Sequence, residues 1–239
     1  MCLSMEFFRR LGAIRAISFD LDDTLYDNRP VIEHAEQWMV AHMRDRYLET
    51  AMFDRAWWLR LKHQIQRDQP ALVDDVSLCR RVLLQQGLIA GGMKKAAAKQ
   101  EAEKVFAQFL EVRSQVAVPE TTHRVLSALA QKYPLVVISN GNVLVERLGL
   151  DEHFQHVLKA GGGFRMKPAP DLFSDMARRL QLPPQQILHV GDDVTTDVAG
   201  AVHNGYRSAW LNDVGQEWRT LRILPDVMLT RLEQLLTLL

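Results

Sequence analysis

The sequence predicts an α/β protein: a doubly wound parallel sheet into which an α-helical domain is inserted. Three observations carry that reading. Short apolar runs at 17–19, 135–138 and 187–190 alternate with segments of helical periodicity, the pattern that builds parallel sheets. Each run stops at small polar or acidic residues, namely Asp20-Leu21-Asp22-Asp23, Ser139-Asn140-Gly141 and Gly191-Asp192-Asp193. From 28 to about 112 strand signals nearly vanish while helical spacing persists. The domain boundaries follow, with a core at 1–27 and 116–239 and a helical domain at 28–115.

In chain order, the run ending at Phe19 reads as a buried strand, because its residues are apolar without alternation. Asn28-Arg29-Pro30 is a turn with Pro30 opening a helix, where its missing N–H costs nothing. Val31, Ala35, Trp38, Met39, His42 and Met43 keep helical spacing, as do Phe53, Trp57, Leu61 and Ile65. Asp74-Asp75 caps a third helix through Val76, Cys79, Val82 and Leu83. Gly91-Gly92 breaks the pattern before an Ala-, Lys- and Glu-rich helix over 96–110. Trp38, Trp57 and Trp58 read as core of this insert, with stacking on a flat ligand ring as the other use.

The α/β pattern resumes with a helix over 121–132, the β-branched strand Leu135-Val136-Val137-Ile138, a short helix over 143–148, and Val157-Leu158. Gly161-Gly162-Gly163 fits neither a Walker loop nor a dinucleotide fingerprint, and reads as a flexible loop. Helices over 171–180 and 196–204 flank the strand Ile187-Leu188-His189-Val190. Strands over 207–211 and 227–229 and a Leu-rich helix over 231–239 complete the chain.

Composition excludes several functions. The 239 residues hold 29 Lys and Arg against 29 Asp and Glu, so no net field favours nucleic acid or a membrane surface. No apolar run is long enough to span a bilayer. Glu6, Arg9, Arg10 and Arg15 break any signal-peptide core, and Met5 could be the true start, which would leave residues 1–4 a disordered tail. Cys2 and Cys79 form no Cys-x-x-Cys pair, so a reducing, cytoplasmic setting and no zinc site are expected. A monomer or weak homodimer is expected.

The chemistry-bearing residues gather where ligands gather in such folds, at the carboxyl ends of strands. Asp20 and Asp22, two apart in an extended strand end, point the same way. Adjacent carboxylates stay ionised only beside a cation, a shared proton or strong donors, and oxygen donors of this kind suit a hard ion such as Mg²⁺. A calcium loop is excluded, because the turn position needing Gly is Leu25 and the closing acid position is Val31. An acidic solvated loop and a nucleophilic aspartate with an acid/base partner both remain open from these residues alone.

Asp20-Leu21-Asp22-Asp23-Thr24-Leu25, then Ser139, Lys167 and Asp192-Asp193, resemble in order the four motifs of the haloacid-dehalogenase-like hydrolase superfamily. The resemblance spans roughly 12–27 and 116–212, is weak in the insert, and implies a Rossmann-like core with a helical cap. It implies that Asp20 is a nucleophile forming an aspartyl phosphate and that Asp22 is the general acid/base. It further implies that Asp20, Asp192 and the Asp22 carbonyl ligate Mg²⁺, and that Ser139, Asn140 and Lys167 bind phosphate. Asp193 and Asp197 match supporting acids that orient Lys167 or metal-bound water. Dehalogenases of the superfamily carry no acid two residues after the nucleophile, so Asp22 implies an oxygen leaving group. The stretch Asp-Leu-Asp-Asp-Thr-Leu-Tyr-Asp-Asn and the cap are most similar to bacterial phosphatases acting on flavin mononucleotide or a related ribityl phosphate. The Gly-Gly-Gly before Phe164 departs from the usual acidic or small polar residue. The expected function is hydrolysis of a small phosphate ester with no nucleic-acid or membrane partner. A sugar phosphomutase and a non-catalytic binding module are the alternatives.

Overall fold

The computed structural model describes residues 5–239, so the reading of residues 1–4 as a tail lies outside it. Chain contacts divide it into two compact units, residues 5–27 with Ala117–Gly141 and Leu148–Leu239, and Asn28–Val116 with Asn142–Arg147.

The first unit is built on strands β1 (Glu6–Phe7), β2 (Ala16–Phe19), β3 (Leu135–Ser139), β4 (His156–Lys159), β5 (Ile187–Gly191), β6 (Arg207–Leu211) and β7 (Val227–Leu229). Among the described residues they form one sheet of order β1-β7-β6-β5-β2-β3-β4, parallel except for the antiparallel β1–β7 pair. The chain leaves β2 toward β3 on one side and later returns beside it as β5. That reversal is the topological switch point, where open α/β sheets bind ligands. Register places Ser18 opposite His189 and Phe19 opposite Val190 across β2–β5. All residues of β2, β3 and β5 are buried, which explains their unbroken apolar runs. β1 carried no sequence signal, since it is a two-residue edge strand whose residues are exposed.

One sheet face packs Ala16, Val136, Ile138 and Ile187 against Leu172, Phe173 and Met176 of a helix over Pro170–Leu180. Burying each of these side chains other than Ala16 contributes roughly 1.5–3 kcal/mol. Gly161, Gly162 and Gly163 all take positive φ, and Gly161 and Phe164 exchange main-chain hydrogen bonds of 2.8 and 3.1 Å. The triple glycine is thus a defined tight turn, where the sequence had suggested a flexible loop. The closing segment Leu232–Leu238 is 3₁₀ rather than α-helical.

The second unit is a bundle of α1 (Arg29–Arg46), α2 (Arg55–Asp68), α3 (Val76–Ala90) and α4 (Lys95–Arg113). Asp54 and Asp75 cap α2 and α3, accepting from the N–H groups of Trp57 and Leu78 at 2.7 and 2.8 Å. Met39, Met43, Trp58, Leu83, Leu84, Phe106 and Phe109 fill the core. Trp58 is 2% exposed, while Trp57 stacks face to face on Phe53 and Trp38 stacks on His42. Arg80, 8% exposed, makes a bidentate ion pair with Glu36. Residues 142–147, read from sequence with the core, group with this unit. Leu144 N–H donates to Ser114 Oγ at 2.9 Å, and Asn142 Nδ2 to Ser77 Oγ at 3.3 Å. No helix among the described residues is long and apolar enough to cross a membrane.

Candidate active site

Three neighbouring strands of the first unit end at one cavity of about 230 Å³. Asp20, Asp22, Ser139, Asn140, Lys167, Asp192, Asp193 and Asp197 all line it, together with Asp23 and Thr196.

Asp20 continues β2 by one residue, donating its N–H to Val190 O at 2.9 Å. The chain then turns tightly: Asp23 takes φ 59° and Leu25 N–H returns to Leu21 O at 2.9 Å. The extended geometry expected for Asp20 to Asp22 is therefore replaced by a turn that still leaves both at the cavity. The hydroxyl of Tyr26 donates to Asp22 Oδ1. Thr24 Oγ1 donates to Asp192 Oδ1 at 3.2 Å, and the Trp210 indole N–H to the Asp192 carbonyl at 2.8 Å.

Lys167 is the one buried ammonium among these groups, at 1% exposure. Its Nζ lies 2.7 Å from Asp20 Oδ1 and 2.6 Å from Asp197 Oδ1. Asn140 fixes the Lys167 main chain from both sides: Lys167 N–H donates to Asn140 Oδ1 at 2.7 Å, and Asn140 Nδ2 donates to Lys167 O at 3.0 Å. The Asn140 side chain is thereby committed to the loop carrying Lys167. Ser139 Oγ accepts from Gly141 N–H at 3.1 Å.

Asp193 and Asp197 divide their work. Asp193 Oδ1 caps the following turn, accepting from the N–H groups of Thr195 and Thr196 at 2.8 and 2.7 Å. That turn, Val194–Ala199, is of the wide π type, closed by Val198 N–H to Asp193 O, and a regular helix follows over Gly200–His203. The sequence had suggested one helix over 196–204. The wide turn carries Asp197 back over β5, where a Cβ on Gly191 would stand 2.2 Å from Asp197 Cγ. Only glycine at 191 leaves room for this carboxylate.

The electrostatics are unbalanced. Burial disfavours the Asp197 carboxylate, but Lys167 and a hydrogen bond from His189 outweigh it and hold its pKa well below the usual range. Burial pushes Asp20 up to about 8 against the pull of Lys167, with the charge of Asp197 adding to the rise. Burial, then Asp197, raises Asp192 to about 7. One ammonium between two carboxylates fully compensates only one of them. The protein's own charges therefore keep Asp197 ionised and leave Asp20 and Asp192 short of a cation.

Asp20, Asp192 and Asp197 present oxygens within 4.8 Å of one another. Those of Asp197 are taken, Oδ1 by Lys167 and His189 and Oδ2 by the Asp193 N–H at 3.1 Å. Asp20 and Asp192 remain as an oxygen pair in deficit of positive charge, a donor set that fits Mg²⁺. Sequence reasoning assigned no role to Thr24, Tyr26, Trp210 or His189. The signal for His189 was a single polar residue inside an apolar strand. Thr24 lies within the Asp20–Leu25 stretch that carries the family resemblance.

Residues 14–205 match the family model of haloacid dehalogenase-like hydrolases. The chain is 38% identical to the 5-amino-6-(5-phospho-D-ribitylamino)uracil phosphatase YigB of Escherichia coli K12, over 98% of this chain and 100% of that protein. It is 27% identical to a glyceraldehyde 3-phosphate phosphatase of Pyrococcus furiosus, over 95% and 93% of the two chains. Among solved structures it resembles a 2-haloacid dehalogenase from Pseudomonas syringae pv. tomato DC3000, with TM-score 0.88 and 33% identity, covering 93% of this chain and 96% of that one. With the acids, the lysine and the switch-point cavity in place, and matches of this extent, the chain belongs to the haloacid dehalogenase-like hydrolases.

Proposed function

We propose that this chain is a Mg²⁺-dependent phosphomonoesterase that works through an aspartyl phosphate on Asp20. The observation that carries the reading is Asp22, held by Tyr26 and lining the same cavity as the buried Asp20. A carbon–halogen bond breaks without a proton, whereas an alkoxide leaving group needs one. A positioned acid beside the nucleophile therefore favours phosphate-ester hydrolysis over dehalogenation, and the curated relatives named as phosphatases support it.

In this reading the Asp20 carboxylate attacks phosphorus in line, forming an O–P bond as the bond to the leaving oxygen breaks. Asp22 gives its proton to that oxygen. It then takes a proton from water, which attacks the phosphoryl group, breaks the Asp20–phosphorus bond and releases inorganic phosphate. Lys167, anchored by Asn140 and Asp197, offers positive charge to the phosphoryl oxygens. Ser139 Oγ and the main-chain N–H of Asn140 are assigned as their hydrogen-bond donors. Asp20, Asp192 and the Asp22 carbonyl would hold Mg²⁺, which supplies neutralisation between two anions that otherwise repel.

The substrate class proposed is a ribityl phosphate, either flavin mononucleotide or a riboflavin-precursor phosphate. The precursor phosphate rests on the activity named for the Escherichia coli relative that matches nearly the whole chain, and flavin mononucleotide on the sequence resemblance alone. The helical unit is assigned as the cap. The test is release of inorganic phosphate from p-nitrophenyl phosphate with Mg²⁺. Catalytic release is expected. Phosphate transfer to a sugar without net release would mean a mutase, and no turnover of any ester would mean a binding module.

A further inference from the structure

His189 interrupts the apolar strand β5 and is 1% exposed. Parallel register sets it opposite Ser18 of β2, and Ser18 Oγ lies 2.8 Å from its Nδ1. Its Nε2 lies 3.1 Å from Asp197 Oδ1. The Phe173 ring meets it edge-on at 5.2 Å.

The hydrogen-bond chemistry selects one tautomer. Asp197, ionised and bonded at 2.6 Å to the Lys167 ammonium through Oδ1, can only accept. Nε2 must therefore carry the proton. Burial and the nearby Lys167 charge keep the ring neutral, which leaves Nδ1 an acceptor and obliges the Ser18 hydroxyl to donate. Donors from Lys167, His189 and the Asp193 main chain then fix both Asp197 oxygens.

We propose that His189 is a positioning residue. Oriented by Ser18, it donates Nε2–H to Asp197, and Asp197 in turn fixes where the Lys167 ammonium meets Asp20. Lysine is a flexible point charge with rotatable donors, so its placement depends on its partners. Partners that orient the ligands of a metal typically cost about ten- to a hundredfold in activity when lost, and the same scale is expected for an oriented lysine. The kinetic consequence rests on the phosphomonoesterase reading, whereas the tautomer does not.

The experiment has two arms on the full-length protein. With ¹⁵N-labelled histidine at pH 7.5, two-bond correlation spectra should show the His189 ring as the neutral Nε2–H tautomer. An Nδ1–H tautomer or a cationic ring overturns the proposal. The second arm compares His189→Gln with His189→Asn on p-nitrophenyl phosphate. Gln places an amide donor near the Nε2 position and can still reach Asp197; Asn can reach only Ser18. Gln should keep kcat within about threefold of wild type, while Asn loses about ten- to a hundredfold, at matching Tm. Equal losses in both, or none in either, overturn it. If neither variant folds, the wild-type spectrum decides. A wild type with no phosphatase activity would sink the functional reading and leave the spectrum to judge the hydrogen-bonded line.

Discussion

Lys167 Nζ lies 2.7 Å from Asp20 Oδ1, although 147 positions separate them in the chain. The same ammonium lies 2.6 Å from Asp197 Oδ1. Asp197 is the carboxylate it fully compensates, so the ionisation of Asp20, the proposed nucleophile, depends on further positive charge.

Asp20→Asn should keep the fold and lose more than about a thousandfold in kcat, since knocking out a covalent nucleophile removes the reaction path. Asp22→Asn should lose about 10²–10⁴-fold on alkyl phosphates, the range for general acid–base catalysis, and much less on p-nitrophenyl phosphate, whose leaving group needs no proton. Steady-state kinetics on both esters make the comparison. Near-native turnover of an alkyl phosphate by Asp20→Asn would exclude the covalent mechanism.

Lys167→Ala should act on rate and stability together. Losing one preorganised donor costs about 10²–10³ in kcat. Leaving Asp197 buried beside no ammonium should also destabilise the fold by about 3 kcal/mol, the scale for breaking a buried ion pair. Urea unfolding measures the second effect, and kinetics well below Tm measure the first. A variant with wild-type rate and wild-type inhibition by phosphate would reduce Lys167 to a structural role.

Chelation should abolish activity and Mg²⁺ should restore it, because Asp20 and Asp192 are left in deficit of positive charge. Ca²⁺ should not restore it. It takes 6–8 ligands at about 2.3–2.6 Å, against about 2.0–2.1 Å for Mg²⁺, and so would draw Asp20 into coordination that opposes attack. Equal rates with the two ions would contradict this.

In the helical unit, Glu36 and Arg80 give a pH-dependent prediction. Burial alone would raise Glu36, but the hydrogen bond and charge of Arg80 outweigh it and hold the carboxyl below its ordinary value. Its contribution to stability is therefore complete above about pH 4.3 and is lost as pH falls through the lower folded value. Glu36→Gln should destabilise by about 2 kcal/mol at pH 7, less than a fully buried pair because the Glu36 side chain is 26% exposed. The gap from wild type should narrow at pH 3. Urea midpoints at the two pH values check it, and a gap unchanged at pH 3 would refute the pair's role.

Part of the candidate site was legible in the sequence because Asp20, Ser139 and Asp192 sit at or just past strand ends, which are marked by abrupt changes from apolar to polar residues. Asp20 and Ser139 follow the apolar runs directly, and Asp192 follows one after Gly191. What the sequence did not show is which neighbour each group uses. Asn140 and Asp193 looked like their companions, yet one clamps the Lys167 loop and the other caps a turn. The contacts of Tyr26 and His189 are set by a tight turn and by strand register, and neither follows from local periodicity. The edge strand at Glu6–Phe7 depends on pairing with Met228 and Val227, far along the chain.

Substrate choice is the remaining prediction. The core cavity of about 230 Å³ is lined by the groups assigned above to the phosphate, so in the proposed function it would select the ester and not the alcohol. Trp58 is core of the helical unit, which removes it as a stacking platform, and Trp38 and Trp57 are already stacked on His42 and Phe53. The ribityl assignment therefore rests on the relative named for that activity and not on an aromatic platform. Flavin mononucleotide or the ribitylaminouracil phosphate should show kcat/KM at least about tenfold above glycerol phosphate and hexose phosphates, a preference equivalent to about 1.4 kcal/mol of transition-state binding. Trp58→Ala should lower stability by about 3–5 kcal/mol without changing the order of substrates. Kinetics on that panel, for wild type and variant, separate the two contributions. Equal or better kcat/KM on the sugar phosphates would remove the ribityl assignment and leave the phosphomonoesterase chemistry of Asp20 and Asp22 intact.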